Sequence, residues 1–175
     1  MNLWIKRFLG GLPLIGCGAG FTAIAVASSA KPMNVGIGIF YAIFALYYLA
    51  GAVAGMMLLE GRRHALTLNF FYWLVQTVYF YSFVFSYILW APFNLGAWWN
   101  LTSHEVGWSA QVGSTFYFAL FHSKVDTAVG INALAVACCA AVFVEYRRTR
   151  RLEEKEAERV GFDTAGQEVE AAAAA

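Results

Sequence analysis

Four side chains able to hold a metal or move a proton fall within one stretch of the sequence: His104, Glu105, His122 and Asp126. Their spacing argues against a metal site. A hydrolytic zinc centre takes paired ligands such as H-E-x-x-H or H-x-H, and no such pair occurs here. Lys124, beside His122, would also disfavour a cation. His64 is far along the chain on the other side of an apolar run, so two histidines holding a haem are not expected either. Cys17, Cys138 and Cys139 lie inside apolar runs and form no C-x-x-C pair, so they read as small packing residues rather than as a thiol–disulfide exchanger. No Walker loop, dinucleotide loop or nucleophile elbow is present. No cofactor is expected, and an enzyme working on lipids or quinones at an interface, the weakest reading, would have to use His104, Glu105 or His122.

A second chemistry belongs to amides within apolar sequence: Asn69, Gln76 and Asn132. A proton relay or ion pump needs a carboxylate or histidine at mid-depth to partner the transported charge, and the apolar runs contain neither. The amides are therefore expected to hydrogen-bond between helices. In the alternative reading, Gln76 and Asn132 line a small oligomeric channel or carrier for a neutral or lipophilic solute.

The elements that would position these groups follow from composition. With 60% hydrophobic and 13% charged residues, against about 25% charged in an ordinary soluble domain, the chain's main solvent is not water. Crossing about 30 Å of hydrocarbon takes about 20 helical residues. Four segments, at about 8–30, 35–59, 65–90 and 127–145, are long and uncharged enough. The expected fold is an all-α integral membrane protein, a four-helix transmembrane bundle. A lipid-facing strand would need closure into a barrel and a period of two, which these continuous runs lack. Lys6, Arg7, Arg62, Arg63, Arg147, Arg148, Arg150 and Arg151 would share one side and Lys31 and Lys124 the other. This places both termini on the cytoplasmic side of a bacterial inner membrane. Two further readings of the first segment stay open. Lys6 and Arg7 ahead of an apolar run ending Ala27-Ser28-Ser29-Ala30 resemble a signal peptide, and Leu14-Ile15-Gly16-Cys17 resembles a lipoprotein box.

Outside the spans, residues 146–160 are rich in helix formers and predict a charged cytoplasmic helix, while 161–175 are of low complexity and predict a disordered tail. The long outer loop, 91–126, is aromatic rather than polar, with Trp98, Trp99 and Trp108 followed by an apolar stretch from Phe116 to Phe121. It is expected to lie on the membrane surface, to cap the bundle or to meet a partner. Gly16 and Gly20, and Gly51 and Gly55, each give a helix a small face suited to close packing in lipid. The basic residues form short caps rather than a stripe, which excludes a nucleic-acid partner. The bilayer, a membrane-protein partner and self-association remain, and the expected function is an accessory or interaction subunit of a membrane assembly.

Overall fold

The structure, a computed structural model, describes residues 3–30, 34–62, 64–121 and 126–173. Two long helices come first, α1 (Leu3–Ala30) and α2 (Val35–Glu60), packed against each other along their length. Glycine brings them together: a Cβ on Gly55 would lie 2.4 Å from the Gly10 carbonyl oxygen. Asn34 caps α2, its side-chain oxygen accepting from the Ile37 N–H at 2.9 Å, and Gly61 ends it in the left-handed conformation at φ 78°. Both helices are long and apolar enough to cross a membrane, and only 33% and 39% of their apolar windows are buried. The core helix of a soluble protein would be covered. Here Phe8, Ile15, Phe21, Ile39, Ile43 and Leu46 face outward instead.

Beyond α2 the architecture departs from a four-helix bundle. Residues 65–90 are helical only in α3 (Ala65–Leu74). There the Thr77 hydroxyl and the Gln76 N–H bond back to the carbonyls of Leu74 and Trp73 and close the last turn. A six-stranded antiparallel sheet follows: β1 (Val78–Tyr81), β2 (Phe85–Trp90), β3 (Phe93–Asn100), β4 (Val106–Val112), β5 (Thr115–Leu120) and β6 (Ala128–Asn132). The expected outer loop is therefore mostly strand. The fourth apolar segment begins as β6 before turning directly into α4 (Ala133–Ala173). That helix continues through the residues expected to be a disordered tail, a segment whose alanines and glutamates favour helix. The physical reason for the correction is that a continuous apolar run is equally a buried strand or a buried helix, and periodicity cannot separate them. From Val78 to Trp90 the residues are largely aromatic and β-branched, which suits a pleated surface.

The sheet order, β4-β3-β6-β1-β2-β5, comes from one bent hairpin. Pairing holds a single register from Phe85↔Leu120 through Trp90↔Thr115 and Phe93↔Val112 to Trp99↔Val106. So β2 with β3, and β4 with β5, are two halves of the same long arms. The bend is at Pro92 and Gly113, where the Gly113 N–H still donates to the Pro92 carbonyl at 2.7 Å. Pro has no N–H to lose, and Gly113 accepts φ 115° without a Cβ penalty. The bent hairpin embraces the β1–β6 pair, β2 binding β1 and β3 binding β6.

Where the sheet sits matters for what it can touch. Phe116 stacks on Phe44 at 4.7 Å and meets Phe40 and Tyr41, while the Ser114 hydroxyl donates to the Gly16 carbonyl at 3.2 Å. β5 thus lies against the C-terminal half of α1 and the N-terminal half of α2, beside the long helices and not beyond their ends. The other half of the helical pair carries α3 and the start of α4, with Leu9, Leu12, Leu58, Tyr72, Trp73 and Val142 forming the main core.

Candidate interaction surface and the polar junction behind it

Of the amides within the apolar runs, Gln76 and Asn132 lie where helix gives way to strand, and Asn69 lies within α3. Asn69 donates to the Ala54 carbonyl at 2.7 Å and ties α3 to α2. The Gln76 side-chain oxygen accepts from the Ala91 N–H at 2.6 Å, and its amide nitrogen donates to the Tyr72 carbonyl at 3.4 Å. Asn132 accepts from the N–H groups of Leu95 and Ala135, at 3.4 and 3.3 Å, and so joins β6 to β3 and caps α4. All three are fully buried, and the N–H groups that Gln76 and Asn132 accept from lie at element ends and junctions that would otherwise leave them unpaired. Tyr47 and Tyr87 serve similarly, donating to the carbonyls of Tyr72 and Val75 at 2.9 and 2.8 Å.

One face of the sheet closes over this junction. The Tyr79 ring lies flat over Gly96 and Gly130, where a Cβ would come within 2.7 Å of its hydroxyl and 2.0 Å of its ring. Trp90 packs edge-on to it at 5.9 Å. Asn94 is buried on the same face, and neither of its amide atoms has a partner among the described residues.

The opposite face is divided. Over β2 and β5 it is covered by α2, through the Phe116 contacts above and a 6.2 Å approach of Phe118 to Phe40. Over β3, β4 and β6 it is open, and every second residue is apolar: Leu95, Ala97 and Trp99 on β3, Val106, Trp108, Ala110 and Val112 on β4, and Ile131 on β6. Exposure reaches 76% at Val106, 79% at Trp108 and 85% at Val112. Neither 85–100 nor 106–121 contains a charged residue. The charges of the described chain lie elsewhere. Lys6 reaches the α2–α3 turn at Gly61, Arg62 pairs with Glu60, and Arg147, Arg148, Arg150 and Arg151 follow the apolar part of α4.

β4 is also the last strand on its side of the sheet. The Asn100 N–H donates to the Glu105 carbonyl at 2.8 Å, and Gly113 donates to Pro92 at the other end of the ladder. Antiparallel pairs alternate between hydrogen-bonded and non-hydrogen-bonded. The bonded pairs between are then Trp98↔Gly107, Gly96↔Ser109 and Asn94↔Gln111. The peptide groups of Val106, Trp108, Ala110 and Val112 consequently point away from β3, along the free edge.

Among the residues singled out from the sequence, Trp99 and Trp108 belong to this open face, whereas Trp98 turns to the other side and lies over Gly107. His104 and Glu105 are exposed in the tight turn between β3 and β4, His104 at φ 58°. His122 falls outside the described residues. Among the described residues no three His, Cys, Asp or Glu gather as a metal site. Gly16, Gly20, Gly51 and Gly55 all meet groups of this same chain. A Cβ at Gly16 would lie 2.9 Å from the Tyr72 hydroxyl, at Gly20 2.4 Å from the Tyr48 ring and at Gly51 2.2 Å from the Tyr72 ring. Sequence reading missed Leu95, Val106, Val112 and Ile131. For Val106 and Val112 the signal was the period of two in Val106-Gly107-Trp108-Ser109-Ala110-Gln111-Val112, short enough to be absorbed into a loop. Comparison with known protein families, with curated proteins and with solved structures finds no match, so the function has to be argued from these side chains.

Proposed function

We propose that the chain is an interaction subunit of a membrane assembly, and that its binding surface is the open face and free edge of β3 and β4. The observation that carries this reading is the uncovered, uncharged edge strand β4, with its apolar side chains exposed and a row of peptide groups directed outward. An edge of this kind is a template for another chain, and proteins that must stay alone protect theirs with lysine, proline or a covering element. In this reading α1 and α2 cross the bilayer, and the basic end of the molecule, with Lys6, Arg7 and the α4 arginines, faces the cytoplasm of a bacterial cell. From Gly16 to Ala30 α1 rises about 21 Å at 1.5 Å per residue, and from Phe93 to Asn100 β3 rises about 23 Å at 3.3 Å per residue. The sheet then occupies the outer leaflet, and the polar turn at 100–105 reaches its surface. Backbone inside hydrocarbon is tolerated only where it is paired or enclosed, which supports a partner along β4.

Gln76 and Asn132 favour this reading over a carrier, because both turn their amides onto backbone rather than toward an open path. The test is native mass analysis of the full-length protein extracted in lipid nanodiscs. Wild type should hold a polypeptide partner in fixed ratio, and Trp108→Glu with Val112→Glu should release it while leaving thermal unfolding of the chain unchanged. A wild-type protein that travels with lipid alone would overturn the proposal.

A further inference from the structure

We infer that α1 and α4 hold one anionic phospholipid of the inner leaflet, with an acyl chain in the groove between the two helices and its phosphate on Arg148, Arg151 and Lys155. The inference rests on the membrane placement given above and not on what pairs with β4. One stripe of α4 carries it. Residues three and four apart share a helix face, and positions 134, 137, 141, 144, 148, 151 and 155 keep that spacing throughout. The first part of the stripe is Leu134, Ala137, Ala141 and Val144, apolar and mostly small, and the second part is cationic. Ala135, Cys139 and Val142, which enter the main core, lie on the other side of the helix. Beside the apolar part, Trp4, Ile5 and Phe8 of α1 stand across from Leu134, Ala137 and Ala141 and leave a groove of about 430 Å³ with no charged residue in its wall. Along the cationic part lies a hollow of about 390 Å³, lined by Val144, Arg147, Arg148, Arg151, Leu152 and Lys155 and by no carboxylate.

Depth and charge both favour this occupant. β6 passes into α4 where Asn132 pairs with Gly96, at the inner part of β3 and so near the middle of the bilayer. From Ala133 to Arg148 the helix rises about 22 Å at 1.5 Å per residue. Half of a hydrocarbon layer of about 30 Å is about 15 Å, so Ala137 and Ala141 lie at acyl-chain depth and Arg148 among the headgroups. Trp4 is 75% exposed at the same end of α1, where an indole suits the interface, and Arg7 lies 5.9 Å from its ring. Arg147 leans on the Phe143 ring at 4.6 Å and Arg150 on Tyr146 at 5.9 Å, which leaves Arg148, Arg151 and Lys155 as the cations of the stripe. Glu145 approaches Arg148 at 3.9 Å from the buried side of the helix, and a guanidinium with five N–H groups can take a phosphate as well. The cytoplasmic leaflet carries the anionic lipids, and only an amphiphile matches an apolar groove that continues into a cationic hollow.

The experiment titrates the full chain in mild detergent with dioleoylphosphatidylglycerol or with dioleoylphosphatidylcholine and reads bound lipid by native mass analysis. One molecule of the anionic lipid should bind at least about tenfold more tightly than the choline lipid. Arg148→Gln with Arg151→Gln should abolish that preference, whereas Arg62→Gln with Arg150→Gln, an equal loss of charge, should keep it. Ala137→Leu with Ala141→Leu fills the groove and leaves every charge in place. It should weaken the anionic lipid by about tenfold while the unfolding temperature is kept. Glycerophosphoglycerol, the same headgroup without acyl chains, should not compete. The inference is overturned if the two lipids bind alike, if both arginine pairs lose the preference equally, or if filling the groove changes nothing. Competition by the headgroup alone would make this a site for a free phosphate and overturn the lipid. A polypeptide released by Arg148→Gln with Arg151→Gln would make the stripe a protein contact, with the same consequence. All these results leave the β4 reading standing, whereas a chain that holds neither lipid would remove the membrane placement as well. Should the arginine pair fail to fold, the wild-type preference and the alanine pair decide.

Discussion

Two buried asparagines on neighbouring strands show how differently one residue type can act. Asn132 bonds the Leu95 and Ala135 N–H groups and so fixes the junction of β6, β3 and α4. Asn94 has no partner among the described residues for either amide atom. Removing a side chain that satisfies buried backbone leaves that backbone unpaired, whereas replacing an unsatisfied amide by an apolar group of similar shape removes a desolvation cost. Asn132→Ala should therefore lower stability by about 1–3 kcal/mol, and Asn94→Leu should leave it unchanged or raised, both read by thermal unfolding in detergent. The glycines divide in the same way. At Gly51 a methyl group would lie 2.2 Å from the Tyr72 ring, while at Gly11 nothing lies within 4 Å. We expect Gly51→Ala to cost about 1–3 kcal/mol by overpacking and Gly11→Ala to stabilise by about 0.5–1 kcal/mol through helix propensity.

The bent hairpin is the element on which the sheet depends. Its two arms keep one register across the corner, so the corner must turn without slipping the pairing, and Gly113 does this at φ 115° opposite Pro92. A Cβ at Gly113 would meet open space, so a defect there would be conformational rather than steric. Gly113→Val should lower the unfolding temperature and flatten the near-ultraviolet circular dichroism of the aromatic sheet, whereas Gly38→Val, within α2 and equally uncrowded, should do neither. In sequence this corner falls within the expected outer loop, and Pro, Gly and Ser there are ordinary loop residues. Its role emerges only when Phe93↔Val112 and Trp90↔Thr115 are seen to share a register.

Taken whole, the molecule turns apolar surface outward on α1, α2 and the β3–β4 face, and sets Gln76 and Asn132 where α3 and α4 meet the sheet. If that open face lies in the outer leaflet, brominated acyl chains should quench Trp99 and Trp108 more than Trp73 and Trp90, which are 0% and 7% exposed. Replacing the first pair with phenylalanine should remove more of the total quenching than replacing the second, and equal losses would place the sheet outside the hydrocarbon.

The uninterrupted apolar runs ending near Ala30 and Leu59 carried their own reading as helices able to cross a membrane, because length and absence of charge are local properties. The missing catalytic spacings were local as well. Beyond Leu74 local properties no longer sufficed. Val78 to Trp90 is apolar enough for either helix or strand, and what decides between them is pairing with Thr115 to Leu120 and with Ala128 to Asn132, partners distant in sequence. Which face of that sheet is covered depends in turn on where α2 lies, so the exposed edge at β4 is a property of the assembled fold and not of its seven residues.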